Sequence, residues 1–282
     1  MKMMPYIALM RLQKPIGIFL LLWPTLWGLW LASSHFPSLK LIFIFVLGVI
    51  VMRSAGCVVN DMADRNVDCF VERTKHRPIT SGQISVRQAL MLLSMLLLCG
   101  FGLVLLLNSL TIRLSLVGAG LALVYPFLKR VTHLPQLGLG LAFAWGVPMS
   151  FAATLNVIPK QAWIVYAAAV IWPIVYDTQY AMVDRVDDES VGIKSTAILF
   201  GHYDRLFIGL LQILFLVLLA IVGNQFHLQK VYFISLLFVI FFFIYQQRLI
   251  YHRIREQCFK AFLNNQWVGL IIFVGILFGK TA

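Results

Sequence analysis

The sequence predicts an all-α integral membrane protein, a bundle of nine transmembrane helices formed by one domain over residues 1–282. Hydrophobic residues make up 61% of the chain and charged residues only 12%, which excludes an ordinary soluble domain. Apolar runs of about 15–20 residues recur, each long enough to cross a hydrocarbon layer of ~30 Å as a helix. We expect these spans at roughly 16–33, 41–59, 88–107, 112–128, 136–154, 161–183, 205–223, 230–247 and 264–279.

The distribution of Lys and Arg predicts the orientation of this bundle. The amino-terminal segment, the loops after spans two, four, six and eight, and the span residues nearest those loops, with Arg53 included, hold 18 of the 23 basic residues. Because basic residues concentrate in cytoplasmic loops, we expect the N-terminus in the cytoplasm and the C-terminus outside. The net charge of +12 is therefore attributed to topology, and no nucleic-acid partner is expected.

The first span is predicted to remain as a membrane helix. Its apolar run is too long for a signal-peptide core and shows no small-residue cleavage site. Arg11 and Lys14 precede it and are expected to anchor it at the membrane interface. The four cysteines have no C-x-x-C spacing and no pairing with His, so neither a disulfide framework nor a zinc site is predicted.

The second span contains a buried base and ends in an acidic stretch. Arg53 lies within the apolar run, where an unpaired charge is costly, so we expect it to face a cavity and meet an acid or an anionic substrate group. Asn60, Asp61, Asp64 and Asp68 follow at the cytoplasmic end of the span. Residues at these spacings share one face of a helix, so the carboxylates are expected to point in one direction.

The sixth span ends in a second acidic stretch that resembles the first. Met-Val-Asp-Arg at 182–185 aligns with Met-Ala-Asp-Arg at 62–65, and Asp177, Asp184 and Asp188 are spaced to share a helix face. Every Asp and Glu of the chain except two lies in or just after one of the two stretches. Like charges at this density need cations. Carboxylates beside a carboxamide are the oxygen ligands that Mg²⁺ accepts, usually together with substrate phosphates.

Basic residues follow both acidic stretches and also end the fourth span, on the same predicted side of the membrane. Arg and Lys are the usual ligands of phosphate oxygens. The third span is expected to open with a capping box from Ser85 to Gln88. The bases are Arg73, Lys75 and Arg77 after the first stretch, Lys129 and Arg130 after Tyr125, and Lys194 after the second stretch.

This combination predicts an enzyme that acts on a lipid diphosphate. The head group would meet Mg²⁺ and the bases, and the tail would lie in the apolar bundle. An allylic diphosphate would ionise there, in a cavity closed to water. A cation-coupled transporter is a different class that also uses intramembrane acids, but its acids are expected near the bilayer midplane. A CDP-alcohol phosphotransferase would need an Asp-Gly and Ala-Arg signature that the sequence lacks.

The motifs resemble those of the intramembrane aromatic prenyltransferases, and within them the bacterial members that act on 4-hydroxybenzoate in ubiquinone biosynthesis. The resemblance covers nearly the whole chain. The motifs are Asn60-Asp61-x-x-Asp64-x-x-x-Asp68, Arg73-Thr74-x-x-Arg77-Pro78, Tyr125-Pro126-Phe127, Tyr176-Asp177-Thr178-Gln179-Tyr180-Ala181-Met182-x-Asp184-Arg185-x-Asp187-Asp188 and Gly192-Ile193-Lys194-Ser195.

The resemblance implies a nine-span helical bundle in the bacterial inner membrane, with its active site facing the cytoplasm. It also implies transfer of a polyprenyl group, octaprenyl by expectation, from its diphosphate to the ring carbon ortho to the hydroxyl of 4-hydroxybenzoate. No obligate protein partner is implied, and haem or a naphthoate remains an alternative acceptor.

Residue roles follow as hypotheses. Asn60, Asp61, Asp64 and Asp68 are expected to bind one Mg²⁺, and Asp184 and Asp188 a second. Asp177 is expected to orient or deprotonate the phenol, and Arg53 to bind the substrate carboxylate. The remaining substrate-binding residues are expected to be Arg73, Arg77, Tyr125, Lys129 and Lys194.

Overall fold

A computed structural model describes residues 3–70 and 74–280, and within these ranges the chain forms helices and no strands. Two short 3-10 turns, Asp68–Phe70 and Gly201–Tyr203, interrupt the α-helical order. The helices are α1 (Met4–Leu9), α2 (Ile16–Ala32), α3 (Leu39–Asp64), α4 (Val86–Val104), α5 (Ser109–Val131), α6 (Pro135–Ala144), α7 (Gly146–Leu155), α8 (Lys160–Ser190), α9 (Thr196–Phe200), α10 (Asp204–Gln225), α11 (Lys230–Leu249) and α12 (Arg255–Gly279).

Every predicted span falls on helix, and the chain is a multi-pass membrane protein. Within the described ranges, seven helical segments are long and apolar enough to cross a membrane. The other two predicted spans fall on α2, which has 17 residues, and on the carboxylate-bearing α8. The count of nine crossings and the orientation of the termini stay predictions. The seven segments are Leu39–Asp64, Val86–Val104, Ser109–Val131, Pro135–Leu155, Thr196–Gln225, Lys230–Leu249 and Arg255–Gly279.

Local sequence explains where several of these helices begin and break. The predicted capping box is confirmed, because the Ser85 hydroxyl accepts from the Gln88 backbone N–H and the Gln88 side chain accepts from the Ser85 backbone N–H. The predicted fifth span is not one continuous helix but two, α6 and α7, with a break at Trp145. Helix α3 ends at Asp64, one turn earlier than the spacing of its acids implies.

Helix α8 lies at the centre of the bundle and packs against α6, α10 and α12. Close packing with α6 depends on Gly140, because a Cβ there would lie 2.5 Å from the Val170 carbonyl oxygen of α8. On another side, Trp27 of α2 and Trp172 of α8 pack with ring centroids 5.3 Å apart, and both are fully buried. These contacts hold the helix that carries the second acidic stretch.

A network of buried carboxamides joins α8 to α10, α11 and α12. Gln246 is fully buried, and its side-chain oxygen accepts from Gln179 and from Gln212, each at 3.0 Å. Its amide nitrogen donates to Asn264 at 2.9 Å. Asn265 donates to Gln179 at 2.9 Å and accepts from the Trp172 indole at 3.2 Å. Because the surrounding apolar side chains offer these amides no other hydrogen-bond partners, the network restricts the rotation of α8 about its axis.

Replacing Gln246 by Leu should destabilise the protein. Leu removes the acceptor for two amides and the donor to a third, and each unpaired buried polar group costs about 1–3 kcal/mol. We expect thermal unfolding in detergent to move down by several degrees. The control is Gln161→Leu, which replaces an exposed glutamine at the start of α8. Equal unfolding temperatures for the two variants would contradict a stabilising network.

Candidate active site

The first acidic stretch continues past the end of its helix. Asp61 and Asp64 lie in the last turn of α3, and both are buried. The sequence spacing predicts that Asp68 continues the face of that helix. It lies instead in the following 3-10 turn. It is nevertheless brought close to Asp61, because the Arg77 guanidinium contacts Asp61 at 3.2 Å and Asp68 at 2.7 Å. A shared basic partner, rather than helical periodicity, therefore assembles this group. Asn60 is partly buried on the same turn of α3 as Asp61.

Burial affects the protonation of Asp68, which lies outside the membrane-spanning helices. Desolvation raises the pKa of this carboxyl above its ordinary value, and the neighbouring Arg77 opposes the shift. The hydroxyl of Thr74 also donates to the Asp68 backbone oxygen at 3.1 Å. Thr74 and Arg77 are thereby both held against Asp68.

Arg11, expected to anchor the first span at the membrane interface, is paired with an acid of the first stretch. Its guanidinium donates to Asp61 at 2.6 Å. It also lies within electrostatic range of Tyr125 on α5 and Tyr180 on α8. Arg11 adopts a positive φ of 56° in the turn between α1 and α2. A turn of this kind is not visible in residue spacing, and the sequence analysis missed it.

The end of α5 connects the two acidic stretches. The Lys129 ammonium donates to Asp64, and Arg130 lies 3.9 Å from the other oxygen of the same carboxylate. The backbone oxygen of Lys129 accepts from the Lys194 N–H at 2.9 Å. The Lys194 side chain donates to the Val131 carbonyl at 3.1 Å, so it attaches the loop after α8 to α5.

The second acidic stretch lies entirely on α8. Asp184 is buried, and Asp177 and Asp188 are partly buried. The Asp177 carboxylate lies beside the buried Gln136 side chain of α6 and within electrostatic range of Arg53, Asp184 and Lys129. Gln136 also accepts from the Thr196 N–H at 3.1 Å. The sequence analysis missed Gln136, which stands alone in an apolar span.

An apolar cavity of about 210 Å³ leads up to these charges. Helices α2 to α7 contribute its walls, and Arg53 and Tyr125 are among the few polar side chains that line it. The prediction that Arg53 faces a cavity is confirmed. Its guanidinium lies 5.6 Å from the centroid of the Phe143 ring, a favourable cation–π contact.

A glycine on α2 leaves room for Arg53. A Cβ at Gly17 would lie 2.3 Å from the Arg53 Nε, so any larger residue there must displace the guanidinium. Gly17 therefore controls the position of Arg53, and the sequence analysis assigned it no role.

The donor chemistry of the site fits Mg²⁺. Its oxygen ligands are buried carboxylates, and Oδ1 of Asp64 accepts no hydrogen bond within the described part of the chain. Basic side chains now neutralise Asp61, Asp64 and Asp68, and no three His, Cys, Asp or Glu side chains among residues 3–70 and 74–280 form a ready metal-binding group. Arg73, expected to bind phosphate, lies outside the described residues.

A membrane bundle in which an apolar cavity lies beside buried carboxylates and bases is suited to an amphiphilic substrate with an anionic head group.

The chain belongs to the UbiA prenyltransferase family, whose model matches residues 21–273. It is 57% identical over 272 residues to the 4-hydroxybenzoate octaprenyltransferase of Coxiella burnetii, covering 96% of this chain and 95% of that protein. The protein of the same name from Hahella chejuensis is 56% identical, with 96% and 91% covered.

Solved structures of the family share the fold. The apo structure of a UbiA homologue from Aeropyrum pernix K1 superposes with a TM-score of 0.81 at 25% identity, covering 93% of this chain and 96% of that one. A UbiA homologue from Archaeoglobus fulgidus, solved with GPP and Mg²⁺ bound, has a TM-score of 0.75 at 19% identity, with 98% of both chains covered.

Removing Arg77 should make the protein more dependent on a divalent cation for stability. Arg77→Met leaves Asp61 and Asp68 short of positive charge, and loss of one partner of a buried ion pair costs about 3–5 kcal/mol. We expect a lower unfolding temperature in EDTA, and a larger rise on adding Mg²⁺ than for the parent protein. Arg65→Met, which removes an exposed base, is the control. Equal Mg²⁺ effects on all three proteins would argue against a metal at these carboxylates.

Proposed function

We propose that this chain transfers a polyprenyl group, octaprenyl in its natural reaction, from the diphosphate to the ring carbon ortho to the hydroxyl of 4-hydroxybenzoate. The observation that carries the proposal is an apolar cavity lined by Arg53 and Tyr125, with Arg53 in turn within electrostatic range of Asp177. An isoprenoid tail and a charged head group need such neighbouring environments. The relatives that are 54–57% identical support the choice of acceptor and tail.

The two acidic stretches would hold Mg²⁺ for the diphosphate. Asn60, Asp61, Asp64 and Asp68 are proposed to bind one ion, and Asp184 and Asp188 a second. Bound Mg²⁺ neutralises charge that develops on the departing diphosphate. Arg77 and Lys129 already touch these carboxylates, so they can turn from carboxylate to phosphate when the substrate enters. Arg73 and Lys194 are proposed as further phosphate ligands.

The aromatic acid is proposed to lie between Arg53 and Asp177. Arg53 would bind the substrate carboxylate, and Asp177 would hold or accept the phenol proton, which makes the ortho carbon more nucleophilic. Their mutual electrostatic interaction supports this pairing. Gln136 lies beside the Asp177 carboxylate and is proposed to orient it.

The reaction would break the bond between the allylic carbon and the diphosphate oxygen, whose electron pair leaves with the diphosphate. The ortho ring carbon would then bond to the allylic carbon, and the ring proton would pass to the departed diphosphate as aromaticity returns. The apolar cavity walls protect the allylic cation from water. We propose that residues 1–282 act as one domain in the bacterial inner membrane, with the active site facing the cytoplasm.

A product assay tests this function directly. Membranes containing the protein are incubated with 4-hydroxybenzoate, octaprenyl diphosphate and Mg²⁺, and the prenylated acid is sought by mass spectrometry. We expect product that disappears with EDTA and returns with excess Mg²⁺. Product from a naphthoate or haem, but none from 4-hydroxybenzoate, would keep the prenyltransferase class and overturn the acceptor.

Substitution of the proposed metal ligands should abolish turnover without unfolding the protein. Asp64→Asn and Asp184→Asn keep side-chain size and remove charge, and we expect kcat to fall on the order of 10²–10³-fold. Asp187→Asn is the matched control, since Asp187 lies on the same helix as Asp184 but pairs with Arg255 at 3.1 Å. Near-normal rates for Asp64→Asn at equal protein levels would refute the assignment.

Arg53 substitution should weaken binding of the aromatic acid selectively. A charge-assisted hydrogen bond to a carboxylate contributes about 1.5–3 kcal/mol, so Arg53→Ala should raise the KM for 4-hydroxybenzoate roughly tenfold or more. Gly17→Ala displaces the same guanidinium and should raise this KM in the same direction. Gly102→Ala is the control, because a Cβ there meets open space. A larger rise in the KM for the diphosphate would reassign Arg53 to phosphate binding.

A further inference from the structure

A second cavity lies between α10 and α11, away from the proposed active site. It has a volume of about 390 Å³ and opens between these two helices. Its wall away from the helix ends is apolar and includes Ile213, Ile240 and Ile244, which lie on exposed helix faces. Gly209 lines the groove without a side chain, which leaves space against α11. A membrane-facing groove of this composition accommodates a hydrocarbon chain.

Two arginines stand at one end of the groove. Arg205 lies in the first turn of α10 and Arg248 in the last turn of α11, so both lie at the same end of this antiparallel pair. The Arg205 guanidinium rests 4.2 Å from the centroid of the Tyr251 ring, which holds it in place. Its Nε is buried and donates no hydrogen bond within residues 3–70 and 74–280.

The nearby acids are already paired with other bases. Asp204, fully buried, accepts from Arg185 at 3.2 Å and from Arg253 at 2.8 Å. Asp187 pairs with Arg255. Within the described part of the chain, neither Arg205 nor Arg248 forms a side-chain ion pair, so the end of the groove presents two guanidinium groups to an external anion.

We propose that this groove binds one anionic phospholipid, with its phosphate at Arg205 and Arg248 and an acyl chain along the apolar wall. A free phosphate would use the two guanidinium groups alone, whereas the adjoining apolar wall needs a hydrocarbon chain to fill it. Two bases without an acid favour a net negative head group over a zwitterionic one. The site shares no residue with the proposed prenyl-transfer machinery.

The groove also adjoins the carboxamide network. Gln212 and Gln247 line it, and Gln247 donates to Gln212 at 3.0 Å. Gln212 in turn donates to Gln246, which also accepts from Gln179 of α8. A lipid in the groove therefore contacts side chains that are hydrogen-bonded to the helix of the second acidic stretch.

Native mass spectrometry of the full chain in detergent tests the site. Purified, delipidated protein is titrated with phosphatidylglycerol or with phosphatidylcholine of the same acyl chains. We expect one phosphatidylglycerol to bind about tenfold more tightly than phosphatidylcholine. The double substitution Arg205→Gln/Arg248→Gln should remove this preference, while Arg87→Gln, an exposed arginine on α4, should keep it.

Blocking the groove supplies an independent variant. A Cβ at Gly209 meets only the Gln247 amide nitrogen, at 3.5 Å, so Gly209→Leu fills the groove without backbone strain. This substitution should weaken the binding of both phospholipids. Unchanged prenyl transfer and an unchanged unfolding temperature would show that the variant is folded. Equal binding of both lipids to the parent protein, or an unchanged preference in the double variant, overturns the proposal. Displacement of phosphatidylglycerol by inorganic phosphate or diphosphate at matched concentration would overturn the lipid as occupant.

Discussion

The neutralisation of buried carboxylates by basic side chains is the constraint on which this bundle depends. An aspartate within a membrane helix costs ~2.5–3.5 kcal/mol to insert, so each buried acid here needs a cation. Asp61 is met by Arg11 from the segment before α2 and by Arg77 from the loop after α3, and Asp64 by Lys129 of α5. Charge compensation therefore brings three separate segments to the end of α3.

The same requirement makes the site responsive to ligands. Bases that now satisfy the carboxylates are the groups that phosphate oxygens would attract, and a divalent cation would then replace them at the acids. In the proposed reaction, this exchange would keep every charge compensated before and after substrate enters. It also explains why the acids do not form a ready metal-binding group within the described residues, although their chemistry suits Mg²⁺.

The interior of the bundle differs between the helices before α8 and those after it. Helices α2 to α7 enclose an apolar cavity, whereas α8, α10, α11 and α12 are joined by buried carboxamides. The cavity offers space to a flexible tail but no directional contacts. The carboxamides supply directional contacts instead, and they hold α8, on which Asp177 lies within electrostatic range of Arg53 and Lys129.

The sequence by itself determined the class of fold and most of the proposed site, because hydrophobic length predicts membrane helices and clustered acids are rare in an apolar chain. The helical bundle, the α4 cap and the cavity position of Arg53 are all predictable in this way. Only tertiary structure decided which base meets which acid. Arg11 lies 50 residues from Asp61, and Gln136 lies on a different helix from Asp177, so neither contact has a local pattern. The exit of the chain from α3 at Asp64 was likewise decided by Arg77 and Thr74, whose bonds to Asp68 fold the loop back and outweigh the helical spacing.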